Sequence, residues 1–196
     1  MKRILTPITL VFLFLIAVPS NAKVSPKNFD DTLIVVRNSL IARGIKAYKI
    51  GNYQKAVNNL DRFINRRRVI ATHTEIAGYR YLALAYQKLG KEQLATQTIT
   101  RAIAIFSHYP IELANLENTA GIIAKEQQQL AIATEHWKKA RQLYLANNLK
   151  KEWSEITLKL AQSHRELGNI AKYQNLLAEL TENNVDIADF TFLNMQ

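Results

Sequence analysis

A short segment recurs along this chain at nearly constant intervals. Gly51-Asn52-Tyr53-Gln54-Lys55-Ala56 returns as Gly90-Lys91-Glu92-Gln93-Leu94-Ala95. It returns again as Gln128-Gln129-Leu130-Ala131-Ile132-Ala133, with glutamine at the glycine place, and opens once more at Gly168-Asn169-Ile170-Ala171-Lys172-Tyr173. The markers 51, 90, 128 and 168 are 39, 38 and 40 residues apart. Each follows one apolar stretch of helical period and precedes another, so the unit is a helix, a tight turn and a second helix. A single unit of this kind cannot bury its apolar face alone, whereas stacked units share a continuous core. The chain is therefore predicted to be all-α, a solenoid of about four helix-turn-helix repeats.

Local chemistry sets the boundaries. Met1-Lys2-Arg3, an apolar run from Ile8 to Val18 and Pro19-Ser20-Asn21-Ala22 stand in the order of a secretory signal peptide cut after Ala22. That run has 11 residues, short of the roughly 20 that span a bilayer. The expected organisation is a signal peptide at 1–22, an extended leader at 23–28, a helical repeat domain at 29–182 and a capping tail at 183–196. The mature chain is expected to be periplasmic or secreted, without a transmembrane segment. Asn28 or Asp30 can cap the first helix, whose stripe is read as Leu33, Val36, Leu40, Ala47 and Ile50. Later stripes include Ile76, Tyr79, Leu82 and Tyr86, then Leu94, Ala95, Ile99 and Ala102, then Ala133, Trp137, Ala140 and Tyr144. The last pair is read as Trp153, Ile156, Leu160, Ala161 and Leu167, followed by Ile170, Leu176, Leu177 and Leu180. Pro110 suits the first turn of a helix, where its missing N–H would be unpaired in any case. In the tail, Phe190 or Phe192 is expected to fold back onto Leu176 or Leu180 and cover the open end of the stack.

The residues that fix these contacts resemble the tetratricopeptide repeat. Small residues fall at equivalent places on the first helices (Gly44, Ala83, Gly121, Ala161) and on the second helices (Ala56, Ala95, Ala133), with Ala102 and Ala140 further along. Large ones (Leu60, Tyr86, Ile99, Trp137, Leu177) alternate with them. The fourth unit departs from the pattern with Tyr173 and Leu180 where small residues belong. The resemblance runs from about Arg37 to Leu180, and the units are longer than the usual 34 or so residues. It implies a right-handed superhelix similar to arrays found in exported bacterial proteins, some of which precede a caspase-like peptidase domain. This chain has no cysteine, hence no thiolate nucleophile, disulfide or lipid-bearing cysteine.

The resemblance also implies a concave groove lined mainly by the first helices. In register, that face carries Asn38, Tyr48, Lys49, Arg80, Gln87, Lys88, Asn115, Asn118, Lys125, Gln162 and Arg165, with Ile41, Ile45, Leu84 and Ile122 among them. Amides, cations and a tyrosine on a concave surface suit an extended peptide or a partner helix. Chaperone-binding members grip a terminal carboxylate with a Lys-Asn-Asn-Lys-Arg set; the matching positions here hold Ile41, Ile45, Tyr81, Asn115 and Thr119, so that clamp is absent. The reading is a noncatalytic interaction scaffold for a protein or peptide, with no cofactor. Histidines 73, 108, 136 and 164 fall in different units without metal-ligand spacing. Ser107-His108 and Ser163-His164 are adjacent in sequence and so diverge on a helix, unlike a nucleophile and its base. No catalytic or metal residue is expected.

Net charge supplies the alternative. At +10, with Arg66-Arg67-Arg68 and Lys138-Lys139 near Arg141, the chain suits anionic partners in general. Nucleic acid is disfavoured by export and by the lack of interleaved aromatic platforms. The alternative function is a basic peripheral protein held to an anionic envelope surface.

Overall fold

In the computed structural model the described residues are 26–64 and 73–185, with side chains described from Val36 onward apart from Arg37. Among them the chain is all helical. Eight helices follow in order: α1 (Pro26–Lys49), α2 (Tyr53–Ile64), α3 (His73–Lys88), α4 (Glu92–Ile105), α5 (Pro110–Glu126), α6 (Leu130–Ala146), α7 (Lys150–Glu166) and α8 (Ile170–Glu182). They pair as four units, α1–α2, α3–α4, α5–α6 and α7–α8. The expected signal peptide, Arg66-Arg67-Arg68 and the tail from Asp186, with Phe190 and Phe192, lie outside the described residues.

Helix ends explain the period. Six of them close with a left-handed residue, at Gly51, Gly90, Gln128, Asn148, Gly168 and Asn184. In each, the next N–H reaches back five residues: Asn52 to the Ala47 carbonyl (2.9 Å), Lys91 to Tyr86 (2.9 Å), Gln129 to Ala124 (2.8 Å), Leu149 to Tyr144 (3.0 Å), Asn169 to His164 (2.7 Å) and Val185 to Leu180 (3.0 Å). This is the Schellman arrangement, which satisfies carbonyls that a helix end leaves unpaired. The turns between α5 and α8 are three residues long, so the extra length of the repeat lies in the helices, where α5, α6 and α7 have 17 residues each. Pro110 occupies the first turn of α5 as expected.

Small residues let the helices close on one another. Ala56, Ala95, Ala102, Ala133 and Ala140 are fully buried. A methyl added at Gly44 would run into the side chain of Leu60, and one at Gly121 into the indole of Trp137. The large residues opposite fill the remaining space. One apolar cluster joins α1 through α5 around Leu60, Phe63, Tyr79, Leu82 and Phe106. A second joins α5 through α8 around Trp137, Tyr144, Trp153, Leu160 and Leu180. Val185, the last described residue of the tail, packs on the second cluster.

Several sequence expectations are corrected. Helix α1 is already helical at Pro26, so the extended leader does not reach residue 28, and neither Asn28 nor Asp30 is the N-cap. Val36, Ile50, Leu94, Leu167 and Ile170, read as inward, are exposed. Except for Val36, these lie at helix ends beside the turns, which overhang the packed seam. On α1 the buried positions run Ile41, Gly44, Ala47 instead.

Candidate partner-docking face

The first helices pack against one another across units, α1 on α3 and α3 on α5. Second helices pack chiefly on the first helices of their own and the following unit. Closer spacing on one side of a stack curves it toward that side, so the first helices form the inner face.

Five of the eleven predicted groove residues, Arg80, Gln87, Lys88, Asn118 and Lys125, meet a residue one repeat further along. Arg80 Nε donates to Thr119 Oγ1 at 3.1 Å, 39 residues on. The Lys88 ammonium reaches Glu126 at 2.7 Å across 38 residues, and Lys125 reaches Glu166 at 2.8 Å across 41. Gln87 is buried and accepts a 2.8 Å bond from Gln127 Nε2, which removes it from the accessible surface. Asn118 Oδ1 accepts from Lys159 Nζ at 3.0 Å, while its carbonyl accepts from Trp137 Nε1 at 3.3 Å. Asn115 Oδ1 accepts from the Tyr144 hydroxyl at 2.9 Å. Ile41, named with the groove, is 1% exposed and belongs to the core.

At the N-terminal end Tyr48 stands half-buried between two rings, Tyr81 at 5.2 Å edge-on and Tyr53 at 5.4 Å. Burial pushes its hydroxyl above the usual tyrosine range, with Lys88 opposing. Ile45, Leu84 and Ile122 are also half-buried on this face, and Asn38, Lys49, Gln162 and Arg165 are exposed.

The middle of the face holds a polar cluster from four helices: Arg80 (α3), Asn115, Asn118 and Thr119 (α5), Tyr144 (α6) and Lys159 (α7). Arg80 and Lys159 are both half-buried. Burial is the main cause that pulls each below its usual range, and the Arg80 charge pulls Lys159 down further. Glu155 offsets part of this for Lys159 without forming an ion pair. Among the described residues neither cation pairs with a carboxylate; their hydrogen bonds go to a hydroxyl and an amide oxygen. Arg80 stays charged throughout, so the inner face carries two partly desolvated cations without an ion-pair partner among the described residues.

Sequence reasoning missed Lys159, Tyr144, Gln127, Glu126 and Glu166. For all but Tyr144 the signal was the period itself, since a residue 38 to 41 positions later stands beside its predecessor on the inner face. The histidines do not converge. His73 pairs with Glu112, and His136 Nδ1 lies 2.6 Å from Glu117. His108 is exposed, and no cluster of three metal-ligating side chains occurs among the described residues. No described helix is long and apolar enough to cross a membrane.

No protein-family model matches the chain, and no curated protein does. Solved structures do. The Rap conjugation gene regulator of the plasmid pLS20, in complex with the Phr* peptide, superposes with a TM-score of 0.60 at 15% identity over 86% of this chain. BtubC (BKLC) from P. vanneervenii gives 0.61 at 13% identity over 76%, and MamA gives 0.56 at 17% over 81%. The chain spans 48% of the Rap regulator, 64% of BtubC and 88% of MamA. At these identities the likeness concerns the fold alone. With four stacked helix pairs and turns at the repeat period, the chain is a tetratricopeptide-like α-solenoid.

Proposed function

We propose that this chain is an exported, noncatalytic scaffold that docks a protein or peptide on its first-helix face, and that the docked segment carries an acidic group. One observation supports this above the others: Arg80 and Lys159 lie close together on the inner face without a carboxylate partner. A partly buried cation without a counter-charge costs free energy, and an incoming carboxylate would recover it through charge-assisted hydrogen bonds. Asn115 and Asn118 supply amides beside the two cations, and half-buried Tyr48, Leu84 and Ile122 supply apolar contact along the same face. The export reading places the encounter in the periplasm or outside the cell, with a mature N-terminus at Lys23 that mass spectrometry of the exported protein would check.

The test is site-specific photocrosslinking in an envelope extract. A crosslinker at Ile122 on the inner face should capture a discrete partner, and one at exposed Thr100 on α4 should not. Lys159→Met should weaken capture while leaving the melting temperature close to that of the parent protein. Capture that ignores both the crosslinker position and the Lys159 substitution would refute the reading. Capture that collapses as ionic strength rises but is unchanged in Lys159→Met would favour the alternative, a basic surface of net charge +10 held to an anionic envelope.

A further inference from the structure

Away from the inner face, a cleft of about 250 Å3 opens between α6, α7 and α8. Its walls carry Lys138 and Arg141 from α6, His164 from α7, and Lys172 and Asn175 from α8. A single water needs only about 10–15 Å3 of such space, so the cleft admits a polyatomic ligand.

The groups around it are unequally committed. Arg141 is largely spent on the protein: its Nε donates to Thr157 Oγ1 at 3.0 Å, one terminal nitrogen pairs with Glu179, and its guanidinium lies 5.5 Å over the Trp153 ring. Lys138 pairs with Glu135 at 2.6 Å, with both side chains well exposed. Among the described residues Lys172 makes no ion pair. His164 is 6% exposed, and its buried Nδ1 has no hydrogen-bond partner. Buried polar nitrogens are rarely left so, because the lost hydration costs about 1–3 kcal/mol. The charges facing His164 are Lys172 from α8 and Lys138 from α6, with Glu135 from α6 opposing them.

We propose that this cleft is a binding site for a phosphate- or sulfate-class oxyanion, held by Lys172 and Lys138 from opposite walls with His164 and Asn175 beside it. The observation behind it is the meeting of one unpaired ammonium, one weakly held ammonium and one unpartnered buried imidazole around an open space. Burial and then the two lysines hold the imidazole below its ordinary value of 6.5, which favours the neutral form at pH 7. A bound dianion reverses the electrostatic part of that effect. Anion binding therefore takes up a proton at His164, and by reciprocity affinity rises as pH falls toward the His164 midpoint. The site is separate from the docking face and stands or falls independently of it.

Sulfate is the probe, because its own charge is constant over the range in which imidazole titrates. NMR titration of the four histidines, with His164→Asn to assign the signal, should show sulfate raising the His164 midpoint while exposed His108 stays put. Calorimetry should give tighter sulfate binding at about pH 5.5 than at about pH 8, a difference lost in His164→Asn. Lys172→Gln should weaken binding about tenfold, the loss of one charge-assisted contact. As Lys172 is exposed, the variant should remain folded. A His164 midpoint unmoved by sulfate, or equal affinity in Lys172→Gln, overturns the proposal. Flotation with phosphatidylglycerol vesicles, against phosphatidylcholine controls, identifies the source. Flotation lost in Lys172→Gln assigns a lipid headgroup, and sulfate binding without flotation assigns a free oxyanion.

Discussion

Gln128 is the turn residue that departs from the repeat. At the equivalent places Gly51, Gly90 and Gly168 have φ of 78°, 69° and 74°, and Gln128 adopts 62° in the same left-handed region. Space does not demand glycine at these turns: a Cβ added at any of the three glycines meets nothing within 4 Å. The remaining penalty is conformational. A side chain in the left-handed region costs about 1–2 kcal/mol, from the approach of Cβ to the following carbonyl. Replacing it with glycine gives back about 0.4–1 kcal/mol through the greater freedom of the unfolded chain. Gln128→Gly should therefore stabilise the protein by about 0.5–1 kcal/mol, a rise in melting temperature of about 1–4 °C for a domain of this size. Exposed Gln128 makes no side-chain contact that would be lost, and the bonds of Gln127 to Gln87 and Thr96 stay in place. Gln128→Asn should fall between the two, because asparagine tolerates this conformation, as Asn148 and Asn184 do at φ 58° and 57°. Gly90→Ala should lose stability by a comparable amount. Urea denaturation followed by circular dichroism measures the series. If Gln128→Gly is neutral or destabilising while Gly90→Ala destabilises, the turn conformation is not where the third unit is strained, and the reasoning fails.

Further outcomes follow from the packing. Ala95→Leu and Ala133→Leu, both at fully buried positions, should each cost about 1–3 kcal/mol by overpacking, and unchanged unfolding midpoints would contradict the helix contacts described. Gly121→Ala should force the Trp137 ring aside, breaking its bond to the Asn118 carbonyl and shifting tryptophan fluorescence at a cost in the same range. Tyr86 is held up to about 12 by burial and by Asp61, whose carboxylate accepts its hydroxyl proton at 3.2 Å. The folded state thus keeps the Tyr86 proton where the unfolded chain, near 10, releases it. The associated stability is intact below pH 10 and is lost as pH rises toward about 12. Tyr86→Phe should flatten that part of the stability profile, as read by thermal melts across the alkaline range.

The fold was legible because its determinants are local and recur. Small residues such as Ala95 and Ala133, the glycine turns and Pro110 each declare their role within a few neighbours, and the period multiplies the signal. Helix α1 was read less well. Its apolar residues outnumber those that reach the seam, so Val36 and Ile50 joined the predicted stripe while Ile41 was assigned to the groove. Periodicity marks an apolar face, but the close approach of Gly44 to Leu60 decides which residues of that face are covered.

The docking face was legible in outline and obscure in detail for a related reason. Register identifies which side chains leave the inner face of a first helix, but their availability depends on the residue one repeat later. Lys88 and Lys125 look like free cations until Glu126 and Glu166 are placed beside them. Each such pair, about one-third exposed, adds at most about 1 kcal/mol to stability, so its larger effect is to neutralise a stretch of the groove. At the centre the pattern changes: one repeat after Arg80 stands Thr119, and one repeat before Lys159 stands Asn118. Where the ladder offers neutral acceptors in place of carboxylates, the positive charge of the inner face is left without an ion pair. A partner that reads charge therefore has one region of this face to read, between α3 and α7, and the two ion-paired rungs at Lys88 and Lys125 contribute little to its recognition.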